Sequence, residues 1–358
     1  MLIVDAHEDL AWNMLTFGRD YTSSAYHTRE VEDGQIAPEK NGHTLLGYPE
    51  YQDGHVAVVF ATLFAAPYRA KRGEWDTQCY RTPAEAYELY LAQLDAYHRL
   101  VEEQADAFRL IPDRRGLKKH LADWEDPAEE APVGLVVLME GAEGVRDPSE
   151  LAEWYERGVR LVGPAWRGTR FCGGTREPGG LTRDGRSLLE AMADLNLALD
   201  VSHMDEQAVL EALDLYPGPI IASHANAKAL LKRSESNRHL TDRMIEGLLD
   251  RDAVIGIVPY NCFLQAGWRI GDDRSQVTLN HVVAQIDTIC QRAGDADHVG
   301  IGSDFDGGFG LSGVPAGIDT IADLVKLKDL LGEKGYSEED IGSILGKNWL
   351  NKLDQILP

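Results

Sequence analysis

Eight short runs of apolar and β-branched residues punctuate the chain, and no other feature limits its fold as tightly. They are LIVDAH (2–7), HVAVVFATLF (55–64), VGLVVLMEG (133–141), VRLVGPAW (159–166), LALDVSH (197–203), PIIASH (219–224), AVIGIVPY (253–260) and HVGIGSD (298–304). Near-continuous apolar runs are what strands buried on both faces require. Between many of them lie stretches with helical periodicity, at 84–103, 186–196, 206–216, 241–251 and 279–294. A strand that alternates with an amphipathic helix builds a parallel sheet, and eight such units close it. The reading is therefore an α/β chain, a (β/α)8 TIM-type barrel. With no internal repeat or linker, residues 1–358 form one domain.

Two further helical segments, 321–335 and 337–353, follow the eighth run and should pack outside the barrel; Ser337 ahead of three acids reads as an N-cap. Residues 18–54 lack periodicity and read as a long loop after the first strand, placed to cover a site. A net charge of −24 argues against nucleic acid and anionic membrane as partners, because phosphate is repelled. The four cysteines show no CxxC spacing and read as reduced packing residues. The first residues lack a basic n-region and cleavage site, and no apolar stretch approaches the ~20 residues of a membrane span. The expected location is the cytoplasm.

Polar residues fall where the apolar runs end. His7, Asp9, Glu140, His203, His224 and Asp304 each stand at or just past the C-terminal end of a predicted strand, the face on which barrel active sites are built. A His-x-Asp pair alone is common by chance, and the usual fate of a single histidine is a hydrogen-bonded strand end. Repetition changes the weighing, since imidazoles and carboxylates converging on one rim suit zinc or a similar divalent ion. Side chains at i and i+2 share a side, so His7 and Asp9 can hold one cation while Glu8 points elsewhere. Glu140, between the two groups of ligands in chain order, is placed to bridge two ions.

The segments DAHEDLAWN (5–13), MEGAEG (139–144), GGLTRDGRSLLEAMADLNLALDVSH (179–203), IIASHANA (220–227) and HVGIGSDFDGG (298–308) resemble the renal (membrane) dipeptidase family of zinc metallopeptidases, in the amidohydrolase superfamily. The likeness runs from residue 2 to near Asn348. It implies two zinc ions, one held by His7, Asp9 and Glu140, the other by Glu140, His203 and His224. It also implies that Asp304 is the active-site aspartate and that Arg238, in SNRHLTD, pairs with the substrate's terminal carboxylate, a task suited to a planar guanidinium. The activity implied is hydrolysis of dipeptides by a metal-bridging hydroxide, with a D-residue tolerated at the C-terminal position, in a homodimer.

The likeness fails at one substrate contact. Animal members carry a histidine after the fourth strand, where this chain reads GPAWRGTRF with Trp166. Tryptophan cannot accept a proton. Either the contact is lost or supplied by Arg167 or Arg170, or Trp166 only packs in a displaced loop. Two rivals stand beside the dipeptidase reading: an amidohydrolase of N-acyl amino acids or other small amides, and a barrel that binds without catalysis. Manganese, iron or cobalt would suit the same ligands.

Overall fold

The computed structural model describes residues 1–125, 130–232 and 234–358. Each of the eight apolar runs forms a strand. They are β1 (Ile3–Glu8), β2 (Val56–Phe64), β3 (Val133–Glu140), β4 (Val159–Gly163), β5 (Ala198–Asp200), β6 (Ile220–Ile221), β7 (Ile255–Ile257) and β8 (Val299–Ile301). All are buried save the last residue of β2, as their lack of polar alternation demands. Neighbours in sequence pair in parallel from β1 to β6 and from β7 to β8. The ring closes where Asp5 of β1 lies opposite Ile301 of β8 and where a bridge joins Ala222 to Ile255. A ninth short strand, Phe108–Leu110, lies beside the start of β3.

The predicted helices form at Pro83–Glu103, Arg183–Asp194, Glu206–Leu215, Asp242–Asp250 and Leu279–Ala293. Thr82, Thr182, Asp205 and Thr241 cap four of them by accepting a backbone N–H of the first turn, each cap contributing about 1 kcal/mol. Ser337 caps as expected, exchanging hydrogen bonds with Asp340.

Two expectations need correction. The segment 18–54 is not a bare loop: it folds into three short helices, Ala25–Val31, Ile36–Asn41 and Tyr48–Asp53. One buried carboxylate, Asp306, gathers it, accepting from Arg19 Nη1 at 2.9 Å, Tyr21 OH at 3.0 Å, Thr44 Oγ1 at 2.5 Å and the Leu45 N–H at 3.0 Å. These contacts are too distant in sequence to leave a local period.

The last helix, Asn348–Ile356, does not lie on the outer wall either. Its residues bond to groups that precede strands: Asn348 Nδ2 donates to the Ala296 carbonyl at 2.6 Å, Lys352 to that of Asp252, and Asn196 Nδ2 to that of Gln355 at 3.3 Å. The helix thus crosses the N-terminal end of the barrel. Trp349 and Leu353 join the cluster formed by Val4, Phe60, Val136, Leu138 and Ile221, with the Trp349 and Phe60 rings 5.3 Å apart. Truncating Trp349 to alanine leaves a void of one indole in a place that cannot collapse. A loss of about 3–5 kcal/mol in unfolding free energy is expected, read by denaturant melts; a loss under 1 kcal/mol would mean that Trp349 does not fill the barrel floor.

Candidate metal centre

The opposite, C-terminal end of the barrel carries the polar residues. β1 delivers His7 and, one step beyond its end, Asp9; β3 ends on Glu140; His203, His224 and Asp304 follow β5, β6 and β8. His203 (φ 66°) and Asp304 (φ 57°) turn there with left-handed backbone, a conformation that costs non-glycine residues about 1 kcal/mol or more and is often found at functional sites.

The side chains converge as the strand ends suggested. His203 Nε2 lies 3.0 Å from Glu140 Oε1 and 3.0 Å from His224 Nε2, and His224 Nε2 lies 3.4 Å from the same oxygen. The other carboxylate oxygen, Glu140 Oε2, faces His7 Nε2 at 3.8 Å. His7, Glu140 and His224 can bring one ligand atom each within 4.8 Å of one another, and so can His7, Asp9 and Asp304. Asp304 therefore stands with the His7–Asp9 pair, its Oδ1 4.0 Å from His7 Nε2. Glu8 turns away, as alternation requires, and accepts from Tyr51 OH.

Hydroxyl groups behind the histidines orient them. Ser223 Oγ donates to Asp200 Oδ2 at 2.5 Å and lies 2.8 Å from His224 Nδ1, while Thr175 Oγ1 lies 3.0 Å from His203 Nδ1. With Ser223 donating to Asp200, His224 Nδ1 carries the proton and its Nε2 offers a lone pair to the cluster. Thr175, a residue for which a sequence offers no signal beyond one hydroxyl in a glycine-rich loop, does the same work at His203.

Burial decides the charges. It pushes the His7 imidazole down to about 3 and holds His203 and His224 well below the usual range, with Arg238 adding repulsion at all three. It holds Glu140 and Asp304 well above the usual carboxylate range, with Asp9 as the next cause. Neutral imidazoles and carboxylates pressed together in a buried cluster are what a cation would relieve. Among the described residues, His7 Nε2 and Asp9 Oδ1 are buried with no hydrogen-bond partner. The donor set fits a divalent metal.

Arg238 is not a solvated loop residue. Only 4% exposed, it donates from Nη2 to the His224 carbonyl at 2.6 Å, and its Nε has no partner among the described residues. Trp166 stands at the rim, its ring 5.1 Å from Phe64 and 6.3 Å from His203. Arg167 and Arg170 are engaged elsewhere, Arg167 beside Glu177 at 3.8 Å and Arg170 on Glu143 at 3.8 Å and the Arg146 carbonyl at 3.0 Å. Arg170 is thus well held, while Arg167 is tied only loosely to a carboxylate it shares with Arg69.

The family model described as "Membrane dipeptidase (Peptidase family M19)" matches residues 1–356. The chain belongs to the membrane dipeptidase family. It is thus a metal-dependent hydrolase of dipeptides, and the resemblance read from its motifs holds over its whole length. A protein of Klebsiella pneumoniae described only by its place in the pqqA 5′ region is 31% identical over 76% of this chain and 98% of its own. The dipeptidase tcpJ of Claviceps purpurea is 25% identical over 93% of this chain and 74% of its own. Among solved structures, the metallopeptidase dipeptidase AC superposes with a TM-score of 0.80 at 25% identity, covering 100% of this chain and 99% of that one. A metallopeptidase from Rhodobacter sphaeroides, liganded with a phosphinate mimic of the dipeptide L-Ala-D-Ala, gives 0.80 at 24% identity over 99% of each. Among the described residues no helix is long and apolar enough to cross a membrane.

Proposed function

We propose that this dipeptidase works through two zinc ions, one held by His7, Asp9 and Glu140, the other by Glu140, His203 and His224, with Glu140 bridging. The observation that carries the reading is the position of Glu140. Its two oxygens face opposite ways, one toward His7, the other toward His203 and His224. Three imidazoles and two carboxylates suit zinc, and Glu140 supplies an anion to both positions.

When bound, the ions supply Lewis acidity to the scissile carbonyl and lower the pKa of water at the site. The chain's own groups do the rest. Arg238, with an unpartnered Nε and a buried charge, takes the substrate's terminal carboxylate and fixes its register. Asp304 Oδ1, beside His7, is placed to accept a proton from water and pass it to the leaving amine. Trp166 offers an apolar wall beside His203 instead of a proton-carrying imidazole. The substrate contact of the animal enzymes is then replaced by packing, and a preference for particular side chains follows from it.

Metal analysis joined to turnover tests this reading. After extensive dialysis the active protein should retain two zinc ions per chain. Chelation should abolish hydrolysis of Ala-Ala and Ala-D-Ala, and restoring zinc should recover it. A stoichiometry of one at full activity would remove the bridge. Turnover of N-acetyl amino acids without any dipeptide turnover would shift the substrate class. A homodimer and a cytoplasmic location belong to the same proposal, the first open to light scattering and the second to fractionation.

A further inference from the structure

The loop after β2 reaches over the mouth of the barrel and carries a cation that the mechanism above leaves unused. Trp75 anchors the loop: it stacks on Phe17 at 5.7 Å and meets Trp12 edge-on at 6.4 Å. Asp76 closes the turn by accepting the Arg72 N–H at 3.1 Å. So fixed at its backbone, Arg72 lays its guanidinium against Gly308 in the loop that bears Asp304. A Cβ on Gly308 would stand 3.2 Å from both terminal nitrogens of Arg72.

Nearby cations are spoken for. Lys71 pairs with Glu74 at 3.9 Å, and Arg69 and Arg167 share Glu177. Arg72 is exposed and, among the described residues, has no carboxylate within ion-pair distance. Its charge is felt by Asp304 across the mouth, but among the described residues no carboxylate pairs with it directly, which leaves the guanidinium able to meet a further anion.

Topology says which part of a substrate would meet it. In a ring of eight strands β2 stands opposite β6, and Arg238 follows β6. A dipeptide with its terminal carboxylate on Arg238 and its amide bond over Glu140 extends its first residue toward the β2 side. We propose that Arg72 is a specificity determinant that selects dipeptides whose N-terminal residue carries a side-chain carboxylate. The inference rests on the dipeptidase reading and on Arg238 as the carboxylate anchor.

The test compares kcat/KM for Glu-Ala, its uncharged isostere Gln-Ala, and Ala-Glu, in the zinc-loaded enzyme and in the variants Arg72→Gln and Arg72→Glu. In the wild type Glu-Ala should exceed Gln-Ala by about tenfold, mainly through KM, since a charge-assisted bidentate contact is lost in the amide. The preference should shrink in 0.5 M salt, because the guanidinium is exposed. Arg72→Gln should bring the ratio near one, and Arg72→Glu should favour Lys-Ala over Gln-Ala. An unchanged ratio in Arg72→Gln overturns the assignment, as does an Arg72-dependent preference for Ala-Glu. Absence of turnover of every dipeptide by the wild type overturns the dipeptidase reading itself, and the assignment with it.

Discussion

Glu140→Gln should empty both metal positions together and lower kcat for dipeptide hydrolysis by about a thousandfold or more, about 4 kcal/mol of lost transition-state stabilisation. The amide keeps the shape of the side chain and removes the negative charge that two ions would share. Metal content by mass spectrometry and turnover on Ala-Ala read the two effects. Loss of one ion with the other retained would contradict a bridge. A melting curve separates this loss from simple unfolding. Burial holds the Glu140 carboxyl well above its usual range, so at neutral pH the metal-free fold disfavours the ionised form, and the neutral amide removes that penalty. The metal-free variant should melt no lower than the metal-free wild type, and the rise in Tm on adding zinc should vanish.

Arg238→Met should raise KM for dipeptides by about a hundredfold or more with a smaller change in kcat, because losing one partner of a buried charge pair costs about 2–5 kcal/mol. The diagnostic comparison is with a dipeptide amide, which lacks the terminal carboxylate. The wild type should strongly prefer the free acid; in Arg238→Met the preference should disappear, a coupling visible only if guanidinium and carboxylate meet. Equal discrimination in both enzymes would place the anchor elsewhere. Methionine also leaves the His224 carbonyl without its donor, so zinc content must be measured on the same sample.

The barrel and the cluster of polar side chains at its rim were legible in the sequence for one physical reason. A strand buried on both faces must be apolar along its length, so any acid or imidazole at its end stands out against it. His7, Glu140, His203, His224 and Asp304 are all of this kind. What was not legible depends on partners far along the chain. Asp306 is the second acid of GSDFDGG, and nothing local says that it organises residues 19–45 instead of joining the rim cluster. Thr175 and Arg72 lie in loops that carry no recognisable ligand or catalytic motif, and only the closed ring brings them to the mouth. The final helix has the amphipathic pattern of an outer one; its indole goes to the barrel floor because the floor is otherwise open.

The closure of the ring has a consequence for how the protein is made. β1 pairs with β8, the Asp304 N–H donates to the His7 carbonyl at 3.1 Å, and Trp349 fills the floor beside Phe60. A nascent chain therefore carries its first strand, His7 included, with one edge unpaired until nearly 300 residues later, and the apolar floor stays open longer still. Long-range closure of this sort folds slowly and leaves strand edges exposed in the interval. Synthesis from the N-terminus thus yields a protein in which the catalytic pocket and the stable core become complete in the same late step, so a chain released early has neither.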